Sequence, residues 1–229
     1  MLKKLTGKAL IHTILIITSL LSIFPFIWLT STSLKGLGED IFAYPPHLIP
    51  SDFTWANYVD VWHRVNFMGY FWNSVIVAAL TVILNLVLSS LAAYPLARMS
   101  FRGKKFVFFA ILATIMIPFQ AIMLPVYIIT LKLHLIDSVN NVMGYIGLVM
   151  PFAVSAFGIF LMRQAFIKVP KEVEEAAIVD GCNVFQMFTR VVIPMVKPTL
   201  AVLAVFTFIG SWGEFLWQSI MLTKDAMYT

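Results

Sequence analysis

Long apolar stretches dominate this sequence and limit the folds that it can adopt. Five of them, at about 9–29, 70–97, 106–131, 142–166 and 199–222, approach or exceed the ~20 residues that a helix needs to cross a bilayer. Of all residues, 60% are hydrophobic and only 12% are charged, whereas soluble domains carry about 25% charged residues. The sequence therefore predicts an all-α integral membrane protein, a polytopic helical bundle in which residues 1–229 form a single transmembrane domain.

The basic residues are unevenly distributed between the segments that join the predicted spans. Twelve of the 16 lysines and arginines fall on the side that carries the amino terminus: Lys3, Lys4, Lys8, Arg98, Arg102, Lys104, Lys105, Arg163, Lys168, Lys171, Arg190 and Lys197. The other four are Lys35, Arg64, Lys132 and Lys224. Because Lys and Arg are concentrated in cytoplasmic loops, we expect a cytoplasmic amino terminus and a cytoplasmic polar loop at 168–198.

The sequence offers no residues for catalysis and none for a cofactor. Its one cysteine, Cys182, excludes an internal disulfide, and no cluster of Cys and His indicates a metal site. Gly103-Lys104 lacks the upstream glycine and the following Ser or Thr of a phosphate-binding loop. The net charge of +5 is accounted for by the basic loops and need not imply a nucleic-acid partner. We expect neither an enzyme nor a cofactor.

The polar loop between the fourth and fifth spans has the pattern of two short helices joined by a turn. Pro170 suits the first position of a helix, where its missing N–H is not needed. Glutamates crowd the first turns that follow, where the helix macrodipole favours carboxylates. Gly181 is a suitable left-handed stop, and Asn183 with Gln186 has the spacing of a capping box. The loop is therefore predicted to be an ordered helix–turn–helix.

At these residues the chain resembles the integral-membrane subunits of ATP-binding-cassette (ABC) importers. Their pattern is Glu-Ala-Ala, three residues, Gly, nine residues and Ile-x-Leu-Pro, which is matched here with conservative changes at Val191 and Ile193. In that family the loop docks into a groove of the ATPase subunit. The resemblance implies docking by Glu175, Ala176, Ala177, Asp180, Gly181 and Pro194. Val173, Ala176 and Ala177 share one helix face by spacing, which favours an apolar docking surface.

Two further segments resemble the sugar-importing members, similar to maltose and multiple-sugar permeases. They are the proline-rich segment 40–62 and the sequence AYPLARMSFRGKKF after the second span. The resemblance implies a type I importer permease in a bacterial or archaeal inner membrane. Its partners would be an ABC ATPase dimer, a second permease, an external sugar-binding protein and membrane lipid. Such permeases usually have six spans, so we expect a sixth to be missing through truncation of the chain.

One carboxylate lies inside a predicted span, at Glu214, among aromatic and amide side chains. A charged residue within the membrane is costly and is a functional candidate for that reason. Aromatic faces and hydrogen-bonding groups together suit a sugar, so Trp212, Glu214, Trp217 and Gln218 are candidates for the substrate pathway. Similar sugar permeases have Asn where this chain has Gly213. The alternative interpretation is an interfacial aromatic belt with a carboxylate paired inside the complex.

The leading hypothesis is one half of the translocation pathway of an ATP-driven importer of a sugar or oligosaccharide. The chain would couple to ATP only through partner ATPases. One alternative is a permease of the same family for another solute, since the docking loop is shared by all of them. Another, from a different class, is a secondary carrier that works without ATP, which would predict coupling ions and paired charges within the spans.

Overall fold

The structure, a computed structural model, describes residues 2–45, 47–136, 141–222 and 228–229. It divides the chain into two compact units, Met1–Phe67 and Met68–Thr229. Residues 137–140 of the predicted outer loop after the third span, and residues 223–227, fall outside the described residues. Each unit is treated by itself below.

The described residues form helices, with one isolated β-bridge between Lys35 and Phe53. The α-helices are α1 Leu2–Ser33, α2 Ala56–Arg64, α3 Phe67–Arg98, α4 Lys104–Ala113, α5 Phe119–Lys132, α6 Asn141–Val149, α7 Ala156–Lys168, α8 Lys171–Val179, α9 Val184–Gln186, α10 Ile193–Met195, α11 Lys197–Trp212 and α12 Leu216–Met221. Thr114–Met116 and Met150–Phe152 are short 3₁₀ turns, and Met187–Val192 is a π-helix. The predicted all-α fold class is confirmed.

By length and composition, two helices and three bent helix pairs could each cross a membrane. The two single helices are Leu10–Ser33 and Phe67–Arg98. The bent pairs are Lys104–Met116 with Phe119–Lys132 (99°), Val142–Phe152 with Ala156–Lys168 (60°) and Val184–Met195 with Lys197–Trp212 (79°). If each pair is one span the total is five, the number that the sequence predicted. The last pair, however, includes Val184–Met195 of the polar loop, which the sequence placed outside the spans. The first bend lies at Pro118, where a missing N–H interrupts the helical hydrogen bonds, and the second follows Phe152, one residue after Pro151.

The last predicted span, 199–222, is not one continuous helix. α11 ends at Trp212, and α12 begins only at Leu216. Gly213 lies at the end of α11 with φ −89° and ψ 0°, outside the helical range, as expected for a residue with little helical propensity. The side chain of Glu214 then accepts a hydrogen bond from the Trp217 N–H (3.0 Å) and so starts the next helix.

In the first unit, the segment after α1 is held together by a buried ion pair. Lys35 is only 2% exposed, and its Nζ lies 3.5 Å from Glu39 Oε1 and 5.3 Å from the centre of the Trp28 ring. Glu39 Oε2 accepts from the backbone N–H of Ser51 (3.0 Å). Asn57 Nδ2 donates to the carbonyls of Ser33 (3.0 Å) and Lys35 (2.8 Å). The proline-rich segment is therefore an ordered structure.

The core of the second unit consists of two clusters of buried apolar side chains. One cluster joins α3, α4, α7, α8, the following loop and α11: Ala93, Tyr94, Leu96, Phe108, Ile159, Met162, Phe166, Val169, Ala177, Met187, Val192, Val196 and Leu203. The other joins α3, α6 and α12: Val77, Leu148, Val149, Trp217, Met221 and Leu222. Both clusters include α3, so this helix is the common support of the unit.

α3 and α7 approach each other closely through small and polar residues. A Cβ at Gly158 would lie 2.6 Å from Ser89 Oγ and 2.9 Å from Asn85 Oδ1, so no larger residue fits without a shift. Asn85 Nδ2 donates to the carbonyl of Phe152 (3.1 Å), at the break between the two halves of the bent pair. The buried amide thus satisfies a backbone group that the break leaves free, as a membrane interior requires.

Candidate functional site

α8 begins the predicted docking loop and is preceded by an extended joint. Val169 (φ −66°, ψ 128°) ends α7, and Pro170 (φ −59°, ψ 139°) precedes α8. Pro170 is therefore the residue before the helix. The spacing had predicted it as the first helical residue, and that prediction was wrong. Glu172 and Glu174 occupy the first turn, where the macrodipole stabilises them.

The turn after α8 is a Schellman motif built on Gly181. This glycine has φ +82°, a left-handed conformation that costs a residue with a Cβ. The N–H of Cys182 donates to the carbonyl of Ala177 (2.9 Å), and that of Gly181 donates to Ile178 (2.9 Å), which is the bond pair that defines the motif. The local chemistry of the turn is as the sequence predicted.

A reciprocal capping box begins the second helix of the loop. Gln186 N donates to Asn183 Oδ1 (2.9 Å), and Asn183 N donates to Gln186 Oε1 (3.0 Å). The helix then widens into the π-helix Met187–Val192 before α10. Pro194 lies within α10, where it has no N–H to offer to the carbonyl four residues earlier. The π-helix was not predicted.

The docking candidates of α8 separate into a buried side and an exposed side. Ala177 is 7% exposed and belongs to the core of this chain, so it seats α8 on its own unit. Glu175 and Ala176 are exposed. Beside them, Ile178 and Val179 are 62% and 87% exposed, and neither was among the sequence candidates. Apolar side chains at i+3 and i+4 from Glu175 mark an available surface.

An arginine from the end of α3 binds α8 and its joint to α7. Arg98 Nε lies 2.9 Å from Glu174 Oε1, and the side chains are 9% and 17% exposed. The N–H does not point at the oxygen, so the contact is an ion pair and not an aligned hydrogen bond. Arg98 Nη2 also donates to the carbonyl of Val169. A groove of about 730 Å³ lies beside this contact, and Lys105, Lys171 and Glu175 are among its lining residues.

Two more basic side chains bind backbone carbonyls at the same end of the unit. Arg163 of α7 donates through Nε to the carbonyl of Leu96 (3.0 Å), and its guanidinium lies 4.0 Å from the centre of the Phe108 ring. Lys104 Nζ donates to the carbonyls of Ala97 (3.1 Å) and Met99 (2.8 Å). The end of α3, which would otherwise present free carbonyls, is thereby bound to α4 and α7.

The four candidates for the substrate pathway do not share one site. Trp217 is fully buried and packs edge-on against Phe119, with ring centres 5.6 Å apart. Trp212 is half-exposed and stacks on Phe208 (5.4 Å). Gln218 Nε2 donates to the carbonyl of Ser211 (3.5 Å). Of the four, Glu214 alone lines a cavity of about 350 Å³.

That cavity lies between α3, the break before α7, and α11. Its walls combine aromatic rings with hydroxyl, amide and carboxylate groups: Thr81, Asn85, Phe119, Pro151, Phe152, Val154, Ser155, Phe157, Phe206, Thr207, Gly210, Ser211 and Glu214. Sequence reasoning missed all of these except Glu214. Ser211 lies beside Trp212 in the sequence, but the contributions of α3 and α7 come from tertiary packing and have no local signal.

Metal ligands and titrating groups add little to this site. The described residues contain no group of three or more His, Cys, Asp and Glu side chains that could hold a metal ion.

The pKa of Glu39, in the first unit, is displaced. Burial raises it, but the N–H groups of Asp52 and Ser51 and the charge of Lys35 lower it more, so it lies below 4.5.

A known family matches residues 85–229. The matched region is more than half of the chain and includes the docking loop and the cavity-lining part of α11. The description of the family is binding-protein-dependent transport system inner membrane component. This chain belongs to that family. Members are permease subunits of multi-pass inner-membrane transporters, so the predicted resemblance to importer permeases is confirmed.

Similar proteins include three permeases with named solutes. The chain is 33% identical over 220 residues to the arabinooligosaccharides transport system permease protein AraQ of Bacillus subtilis, covering 92% of this chain and 74% of that protein. It is 31% identical to the diacetylchitobiose uptake system permease protein NgcG of Streptomyces coelicolor (91% and 67% covered). It is 33% identical to the sn-glycerol-3-phosphate transport system permease protein UgpE of Yersinia enterocolitica (94% and 76% covered).

A solved structure shows the same fold. It is the crystal structure of a bacterial ABC transporter involved in the import of the acidic polysaccharide alginate, with a TM-score of 0.82 and 27% sequence identity. The match covers 97% of this chain and 76% of that one. The predicted helical bundle of the ABC importer permease kind is therefore confirmed.

Proposed function

We propose that this permease forms half of the translocation pathway of an ATP-driven importer for a sugar or oligosaccharide. Two of the similar proteins, AraQ and NgcG, are named for oligosaccharides. The other half of the pathway would be a second permease, and an ABC ATPase dimer would supply the energy. An external binding protein would deliver the solute.

The ordered helix–turn–helix with an exposed mixed face is the observation that carries the coupling proposal. Glu175 offers a carboxylate to basic groups of an ATPase, while Ala176, Ile178 and Val179 offer apolar surface around it. Gly181 fixes the turn, the exposed Asp180 is the C-cap of α8, and Pro194 lies in α10. Closure of the ATPase dimer would push on α8, and the spans would alternate between outward-open and inward-open states.

The cavity lined by Glu214 suits an uncharged polyhydroxyl solute. Phe119, Phe152 and Phe206 offer apolar faces, and Ser211 and Glu214 offer hydrogen-bonding groups. A few polar groups on an apolar wall are the usual composition of a small-molecule site. The described residues that line it include no Lys or Arg. We therefore assign substrate contact to this cavity, with Trp212 and Gln218 beside it and Trp217 as a packing residue.

A second candidate solute class is the small organic phosphate. The similarity to UgpE, which is named for sn-glycerol 3-phosphate, favours it. The carboxylate of Glu214 argues against it, because two like charges in a poorly solvated cavity repel each other strongly. The electrostatics of the cavity therefore favour a neutral sugar over a small organic phosphate.

The orientation follows from the basic residues. With twelve Lys and Arg on one side and four on the other, the amino terminus and the docking loop would face the cytoplasm. This places α8 on the side where ATP and the ATPase subunits are found.

Uptake by the reconstituted native complex tests the proposal. The complex is purified through a tag on this chain and incorporated into liposomes loaded with ATP, with the binding protein outside. Radiolabelled arabinotriose, diacetylchitobiose and glycerol 3-phosphate are offered separately. We expect ATP-dependent uptake of one of the sugars and none of the phosphate. Uptake of the phosphate alone would replace the solute class, and equal uptake with and without ATP would favour a secondary carrier.

A further inference from the structure

The joint between α7 and α8 interrupts the helical backbone. Val169 and Pro170 are extended, and Pro170 has no N–H with which to continue a helical hydrogen-bond pattern. Backbone hydrogen bonds therefore do not carry α7 into α8. A push on α8 would bend this joint unless another contact spans it.

The side chain of Arg98, at the end of α3, contacts residues on both sides of this joint. Its Nη2 donates to the carbonyl of Val169, the last residue before Pro170, and its Nε lies 2.9 Å from the carboxylate of Glu174, one turn after Pro170. One planar guanidinium thus holds both sides of the joint and ties them to the end of α3. Because Arg carries several donors in a fixed fork, a single side chain can make both contacts at once.

Two arginines, one from each helix, bind α3 to α7. Arg98 of α3 donates to the carbonyl at the end of α7, and Arg163 of α7 donates to Leu96 near the end of α3 (3.0 Å). The same α3 supplies Thr81 and Asn85 to the cavity wall. A displacement of α8 that is held by Arg98 therefore has a continuous, packed route to the cavity.

We propose that Arg98 is a positioning residue that couples movement of α8 to α3 and α7 by bridging the Val169–Pro170 joint to Glu174. The inference rests on the proposed ATP-driven transport. It assigns different tasks to two neighbouring glutamates. Glu174, whose side chain is 17% exposed, holds α8 to Arg98 within this chain. Glu175, which is exposed on α8, is the contact for the ATPase.

The proposal makes a prediction that a purely stabilising role does not make. If Arg98 only stabilised the fold, its loss would reduce the amount of active complex, and uptake and ATP hydrolysis would fall in the same proportion. If it transmits movement, α8 still binds the ATPase and permits hydrolysis, but the spans follow less often. The ratio of solute imported to ATP hydrolysed then falls.

The variants are Arg98→Gln, Glu174→Gln and the double variant, with Arg102→Gln as the matched control. Arg102 is exposed in the same basic loop. Each complex is reconstituted as above, and phosphate release and sugar uptake are measured on the same proteoliposomes. ATPase content is measured from the stained subunits of each preparation. Arg98→Lys, which keeps the charge, is included for the case in which a glutamine variant is poorly assembled.

We expect both single variants to retain the ATPase and to lower uptake per ATP about fivefold or more, within the usual range of coupling free energies. The double variant should be no worse than either single variant, because both remove the same link. Arg98→Lys should recover part of the ratio, and Arg102→Gln should keep it. An unchanged ratio in Arg98→Gln and Glu174→Gln, or additive losses in the double variant, would overturn the inference. Absence of ATP-dependent uptake in the wild-type complex would instead defeat the proposed function itself.

Discussion

The carboxylate of Glu214 accepts a hydrogen bond from the backbone N–H of Trp217 at 3.0 Å. The acidic residue that the sequence places inside a span is thus the residue that starts α12 after the break at Gly213. The same side chain lines the cavity to which we assign the solute. One carboxylate therefore has a structural task and a proposed recognition task, and substitutions can separate them.

Substitution of Glu214 tests whether its side chain caps α12. Glu214→Gln keeps an oxygen that can accept from Trp217, so thermal stability in detergent should stay near that of the wild type. Glu214→Ala removes the acceptor and should lower the free energy of unfolding by about 0.5–2 kcal/mol, the usual cost of a lost cap. Size-exclusion chromatography after heating measures this. If both variants were equally stable, Glu214 would have no capping role.

The close approach of α3 and α7 predicts a sharp effect at Gly158. A Cβ there would meet Ser89 Oγ at 2.6 Å, and overpacking of this kind costs about 1–3 kcal/mol. Gly158→Ala should therefore lower thermal stability, although alanine is the better helix former. Gly210→Ala is the matched control, because a Cβ at Gly210 in α11 meets nothing within 4 Å. Equal stability of the two variants would contradict the packing.

The sequence predicted the features of this fold that are encoded locally. The Gly181 stop and the Asn183–Gln186 capping box depend on residues within one turn of each other, and both are present. The apolar stretches predicted five spans, the largest number that the length and composition of the described helices allow. In contrast, nothing near Arg98 in the sequence indicates Glu174, 76 positions later, because that contact exists only once α3 and α8 have packed together.

Burial was the second property that local reasoning could not supply. Ala177 belongs to the expected docking motif, yet it packs into the core of its own unit, while Ile178 and Val179 are exposed. Trp217 was a pathway candidate and is fully buried. Helical spacing identifies which residues share a face, but the neighbouring helices decide whether that face is core or surface.

The lowered pKa of Glu39 predicts a loss of order in the first unit at acid pH. Because the folded-state pKa lies below the ordinary 4.5, the carboxylate stabilises the fold above pH 4.5, and this stabilisation is lost as pH falls through the folded-state pKa. Hydrogen exchange of the peptide at 34–57, corrected for the intrinsic rate, should therefore accelerate in that range. Glu39→Gln should exchange fast at every pH. A wild-type hydrogen-exchange rate that did not change with pH would contradict the contacts made by the Glu39 carboxylate.

The single cysteine allows the orientation to be tested by labelling the unsubstituted chain. Cys182 lies in the docking loop and is half-buried. A membrane-impermeant maleimide should label it in inside-out vesicles and not in right-side-out vesicles, with detergent-solubilised protein as the maximum. Cys182→Ser controls for labelling of other proteins. Labelling in right-side-out vesicles alone would place the loop outside and reverse the proposed topology.

Glu175 is the residue whose charge should matter most for docking. Glu175→Lys should abolish co-purification of the ATPase, while this chain still inserts in the membrane, because the substitution replaces attraction to basic groups by repulsion. Glu175→Gln keeps the size of the side chain and removes only the charge, so its loss of ATPase should be smaller. Membrane fractions and tagged eluates are compared for both. Normal ATPase recovery and uptake in Glu175→Lys would exclude docking through this face.

An affinity pull-down from native membranes in mild detergent, followed by mass spectrometry of all retained proteins, tests the central claim most directly. We predict that the tagged chain retains an ABC ATPase and a second permease, together with an external solute-binding protein. The identity of the last would also narrow the solute. Recovery of the well-folded chain without an ATPase would contradict the account, since α8 would then have no partner on which to act.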